Sequence, residues 1–284
     1  MWSGCATADD VPDRSPEAMD FSDIPYCGPG AVPESVWTGW NFDGWLLAAL
    51  AGLIAGYLHG RHRRHRGDRI ADGAFAMAWV VLAVAFVSPL CALSAALFSV
   101  RVAHHIMTIA VAAPLLVVAS RGIRRTWLVS GRLLVPAACV HVAIFWIWHA
   151  PAPYAAALAS HGIYWLMELS LLASAALFWA AALDRRVSTA TYVPTVVGVM
   201  AQMGFLGALL VFAAQPLYEG HALTTSPWGL TPLEDQQLAG LAMWVPGALP
   251  YLVLLLVRVG RWLAGQEAAA RIGSAGRSAA DGRQ

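Results

Sequence analysis

Lysine is absent: all 18 basic residues are arginine. No amine is therefore present to hold retinal as a Schiff base, which excludes a seven-helix photoreceptor of that kind. Charge of either sign is scarce, at 12% of residues against 58% hydrophobic. That balance excludes an ordinary soluble domain and implies a polytopic membrane protein. The chain has no Gly-rich phosphate loop, no Ser-His-Asp arrangement, and neither His-Glu-x-x-His nor zinc-finger spacing. Nucleotide hydrolysis, acyl transfer and structural zinc thus lack their usual residues, and no catalytic role is expected. Cysteine is sparse, at Cys5, Cys27, Cys91 and Cys139. Cys5 and Cys27 share one polar stretch and are open to pairing in an oxidising compartment.

Seven apolar runs are present, at about 42–59, 73–90, 102–119, 132–149, 161–183, 191–214 and 236–259. Each approaches the roughly 20 helical residues that cross a hydrocarbon core, and an open sheet edge cannot sit in lipid. The fold expected is an all-α bundle of seven transmembrane helices. Residues 1–40 are polar, acidic and rich in Pro and Gly, without the apolar core of a cleavable signal, and are expected to form an external tail. The bundle occupies 41–262, and 263–284 is expected to be a disordered cytoplasmic tail. Arginines follow runs one, three, five and seven, so that 16 of the 18 fall on one side and only Arg14 and Arg101 do not. By the positive-inside rule the amino terminus lies outside and the carboxyl terminus in the cytoplasm; the arginines mark topology and not nucleic-acid binding. The short stretch from Cys91 to Val100 is expected along the outer interface.

Five of nine histidines, His104, His105, His149, His161 and His221, are placed at or outside the outer interface, with His141 deeper. At 100° per residue His104 and Met107 share a face while His105 points a quarter-turn away, so one imidazole at a time is expected to meet a given partner. Glu168 is a carboxylate within the fifth run and must face a cavity or a partner. Met200 and Met203 share a face in the sixth run; Gln236, Gly240, Met243 and Gly247 lie along one side of the seventh. Thr231 or Asp235 can cap that last helix, and Asp235 and Gln236 can orient nearby imidazoles. Imidazole with thioether beneath it suits copper, above all Cu(I), because soft donors select it. The candidate metal ligands are His104, His105, Met107, His141, His149 and His161, supported by Glu168, Met200, Met203, Asp235, Gln236 and Met243. A bis-histidine haem site using His105 and His141 is the alternative metal reading.

Six blocks carry a resemblance. They are Ser88-Pro89-Leu90, Leu97-Phe98-Ser99, His105 followed by Ala113-Pro114-Leu115-Leu116, Trp148-His149-Ala150-Pro151, Phe178-Trp179, and Asp235-Gln236-Gln237-Leu238-Ala239-Gly240 with Trp244. From about Phe42 to Trp262 the chain resembles the CtaG family of cytochrome c oxidase (caa(3)-type) assembly factors. Where family members carry His-Met ahead of the position of His105, this chain has Arg101-Val102, and Tyr164 and Glu168 stand where a histidine pair is expected. The resemblance implies seven helices in a bacterial plasma membrane, oxidase subunits and other copper chaperones as partners, and a part in copper supply or metal-centre maturation. A copper transporter or resistance permease, and a metal-free docking chaperone, are the competing functions.

Overall fold

The computed structural model describes residues 25–62, 68–120 and 131–281, which are helix and loop with no strand among them. The helices are α1 (Gly44–His62), α2 (Arg69–Phe86), α3 (Leu90–Ala96), α4 (Phe98–Ile106), a π-helical turn (Met107–Ala112), α5 (Ala113–Ala119), α6 (Leu134–His149), α7 (Pro151–Ala159), α8 (His161–Ala182), α9 (Thr189–Phe212), α10 (Pro232–Trp244) and α11 (Leu249–Asp281). Five segments are long and apolar enough to cross a membrane: Arg69–Phe86, Phe98–Ala119, His161–Ala182, Thr189–Phe212 and Pro232–Glu267. A sixth appears if α6 and α7, bent by 71° at their junction, count as one span. The first apolar run forms α1, a 19-residue helix outside that set, and it buries only Leu46, Leu50 and Gly60.

Local chemistry explains where the helices start and stop. Asp68 caps α2 by accepting from Ile70 and Ala71 N–H, each at 3.1 Å. Thr231 and Glu234 form a capping box at the start of α10. Ala150 is extended because Pro151 follows it, and this ends α6 at His149. Pro114 has no N–H to give the preceding turn, and the backbone from Met107 to Ala112 widens to a π-helix. The Ile109 carbonyl, whose i+5 residue is Pro114, accepts instead from the Trp179 indole N–H at 2.8 Å. Gly207 and Gly240 let α9 and α10 touch backbone to backbone: a Cβ on Gly240 would lie 2.5 Å from the Gly207 carbonyl oxygen.

The structure adds two facts about the ends of the chain. Cys27 is bonded to Cys91, not to Cys5, which lies outside the described residues. The tail expected from 263 continues as helix to Asp281 in its backbone. The disulfide pins residues 25–40 across the end of the bundle where α3, α7 and the 213–231 loop also lie, and Trp228 N–H reaches the Ala31 carbonyl there at 2.9 Å. This end is called the disulfide end below. The other, where Arg185, Arg186, Arg258 and Arg261 gather, is the arginine end.

Candidate metal centre

Below the disulfide, three side chains meet on one carboxylate oxygen of a fourth. Glu168 Oε1, from α8, lies 3.1 Å from His105 Nε2, 3.5 Å from His104 Nδ1 and 3.8 Å from Arg101 NH1. All four residues are buried, none more than 3% exposed. His104, His105 and Glu168 each offer one ligand atom, and these atoms lie within 4.8 Å of one another.

Both imidazoles reach Glu168, against the expectation that one at a time would do so. Arg101 precedes them by three and four residues, which puts its azimuth on α4 between theirs. Glu168 faces that azimuth, and a histidine closes on it from each side. Arg101 itself, read from sequence as one of two arginines off the topology pattern, is the residue missed. Its spacing to His104 and His105 was the available signal.

The polar inventory around the carboxylate is incomplete. Arg101 Nε, NH1 and NH2, both nitrogens of His104, His105 Nδ1 and Glu168 Oε2 are buried without a hydrogen-bond partner. Groups of this kind are normally satisfied by water, an ion or a ligand. His105 Nε2 is the ring nitrogen that faces the Glu168 carboxylate, and in the tautomer that donates its N–H there the lone pair lies on Nδ1, which has no hydrogen-bond partner. His149, at the end of α6, donates Nδ1–H to the Phe145 carbonyl at 2.7 Å, which leaves its Nε2 as the lone-pair nitrogen. The His105 and His149 rings lie 5.8 Å apart between centroids and nearly perpendicular, at 82°.

A cover of aromatic and loop residues closes the site. Tyr218 OH donates to the His149 carbonyl at 2.7 Å, and its ring stacks on Phe98 at 3.9 Å. His221 donates Nδ1–H to the Ala96 carbonyl at 3.2 Å and accepts from Tyr154 OH at Nε2, 2.7 Å away. Desolvation pushes the His221 pKa down to about 4, with the Arg101 charge adding to the effect. His104, His105, His149 and His221 are all buried within the protein, with His104 set against Phe86 of α2.

The other sequence candidates lie elsewhere. His161 is exposed, sets its ring edge-on to Tyr26 at 5.5 Å, and sits seven residues, about 10 Å, before Glu168 on α8. Met107 is partly buried in the π-helical turn. His141 is a separate core histidine, within reach of Ser174 Oγ at 3.2 Å and Tyr251 OH at 3.4 Å and stacked on Phe178. Met203 and Met243 are core residues, with Met200 packed against them. Asp235 does not orient an imidazole: its carboxylate accepts from Phe98 N at 2.6 Å, from Ser99 N at 3.1 Å and from the Ser99 hydroxyl, capping α4. Gln236 accepts from Leu217 N at 2.6 Å and donates to the Leu210 carbonyl at 3.3 Å, tying the loop to α9. Both residues thus hold α4 and the cover in place and act on the histidines through the backbone.

The class defined by these features is an all-helical membrane protein with a charged, histidine-rich centre buried at one end. Residues 54–265 match the family model described as cytochrome c oxidase caa3 assembly factor, and the chain belongs to that family. No curated protein and no solved structure gives a significant match. Three of the motif blocks have structural roles in this chain: Phe98-Ser99 with Asp235 is the α4 cap, Pro114 with Trp179 is the π-turn and its surrogate donor, and His149-Ala150-Pro151 is the α6–α7 bend.

Proposed function

We propose that the protein carries Cu(I) to a nascent haem-copper oxidase, holding it between His105 Nδ1 and His149 Nε2 near the disulfide end. The observation that supports this most directly is the pair of neighbouring imidazoles whose other nitrogens are fixed as donors, to Glu168 and to the Phe145 carbonyl. Such outer partners set the tautomer and orientation of a ligating histidine. Arg101 argues for the monovalent ion. With Glu168 ionised and Arg101 protonated the centre is neutral, so Cu(I) adds one charge to a low-dielectric site where Cu(II) would add two. His104 and Glu168 remain as further donors during loading and release.

In this reading α1 completes a set of seven spans, the amino terminus is external, and the protein resides in a bacterial plasma membrane. The Cys27–Cys91 bond supports the orientation, because disulfides persist on the oxidising side. Oxidase subunits, and copper chaperones that load the site, are the partners, and no turnover is required. A transporter is less well supported, since the arginine end opposes passage of a cation. Haem is also less well supported, because both nitrogens of His141 already have partners within the core. The metal-free docking chaperone is the reading that remains if copper fails.

The test is the His105→Ala/His149→Ala pair. The protein should reach the membrane, lose most of its copper when purified under reductant, and leave the oxidase subunits made but inactive at limiting copper. A fully active oxidase from that strain would overturn copper carriage in favour of metal-free docking.

A further inference from the structure

At the arginine end, Arg185 and Arg186 follow α8, while Arg258 and Arg261 lie on α11 three residues apart. A cavity of about 800 Å³ is lined by Arg185, Ser188, Thr189, Arg258, Arg261 and Trp262 among others. A second, of about 460 Å³, shares Arg185, Arg258 and Arg261 and adds Arg186 and Asp184. A topology signal requires positive charge on one side of a membrane; it does not require a concave site.

The four guanidinium groups have different duties. Arg258 donates to the carbonyls of Asp184 at 3.4 Å, Arg185 at 3.2 Å and Val187, and lies 5.2 Å over the Tyr192 ring. It fixes the α8–α9 connection. The Asp184 carboxylate accepts from Arg186 N at 2.9 Å. Arg185, Arg186 and Arg261 have no ion-pair partner among the described residues. The first helical bonds of α9 run from Thr191 and Tyr192 back to the Ser188 carbonyl. Thr189 and Ala190, which line the cavity, therefore keep backbone N–H groups with no partner in the helix. Unpaired guanidinium donors, free backbone N–H groups and the positive end of a helix are the chemistry that takes a phosphate.

Depth identifies what presents that phosphate. The cavity lies where the apolar span of α9 begins and the exposed apolar face of α11, with Val253, Leu256 and Val257, gives way to Arg258 and Arg261. Trp262 is 46% exposed beside it, as a side chain at headgroup level would be. We propose that this end of the bundle binds the phosphate of an anionic phospholipid, with its acyl chains along α9 and α11. The inference depends on those two helices spanning the membrane and is independent of metal delivery.

The full chain in detergent, titrated with phosphatidylglycerol, phosphatidylcholine or inorganic phosphate, tests it by native mass spectrometry and thermal melting. Phosphatidylglycerol alone should be retained and should raise the melting temperature. Arg185→Gln/Arg261→Gln should weaken that binding about 30-fold, at about 1 kcal/mol per arginine near the surface. Arg185→Lys/Arg261→Lys, which keeps the charge, should retain most of it and serves as the folding control. Equal protection by inorganic phosphate overturns the lipid source. Equal retention of phosphatidylcholine, or unchanged affinity in the glutamine variant, overturns the site.

Discussion

Arg101 and Glu168 are each tolerable in the bundle only because of the other and of the two imidazoles that flank them. Removing one partner of a buried pair leaves an uncompensated charge and costs about 3–5 kcal/mol, whereas removing both is often far milder. Glu168→Leu should therefore lower the yield of folded protein sharply, and Arg101→Leu/Glu168→Leu should recover most of it, as read by a detergent melting curve. A double variant no better than the single one would rule out the pairing. His221 supplies a second test at this scale. Its folded pKa, about 4, lies below the ordinary 6.5 or so, so the unfolded chain binds more protons between those values. Stability is then complete above pH 6.5 and falls as the pH drops toward 4. His221→Gln should show a smaller loss of melting temperature between pH 7 and pH 5 than the parent does.

Among the helices, the seven apolar runs legible in composition are all helical, because a hydrocarbon core demands length and apolarity and little else, whereas α7 falls between two of them and only five or six spans are long and apolar enough to cross. The glycines of the sixth and seventh runs likewise announce the close α9–α10 contact. Gly240→Ala should force those backbones apart at a cost of about 1–3 kcal/mol, visible as a lower melting temperature. What the sequence does not show is where a helix stops being regular. Nothing in the run from His104 to Ala119 fixes the π-turn except Pro114, and the donor that makes it tolerable, Trp179, comes from another helix. Trp179→Phe should leave the Ile109 carbonyl unpaired and cost about 1–3 kcal/mol. An unchanged melting curve would show that the carbonyl finds another donor. The same limit applies to the site. His105, His149 and Glu168 were legible as buried or interfacial polar residues, but their convergence depends on the azimuth of α4 against α8, which no local pattern encodes.

For the molecule as a whole, polarity across the membrane is the property to establish. A periplasm-active reporter should stay silent when fused after residue 64 or residue 274, and activity at either place would reverse the orientation. The disulfide offers a chemical check. Before reduction, an alkylating reagent in detergent should label exposed Cys139 but spare Cys27 and Cys91. Cys27→Ser should destabilise the disulfide end by about 4 kcal/mol if the bond acts by closing a loop of 64 residues in the unfolded chain.

The Arg101–Glu168 pair also imposes an order on biogenesis. Glu168 emerges from the ribosome 63 residues after His105, a delay of about 3 to 13 s at 5–20 residues per second. Throughout that interval the segment carrying Arg101, the fourth residue of the Phe98–Ala119 span, has no counter-charge from Glu168. The histidine centre can therefore close only after α8 has been made, because its carboxylate comes from that later helix.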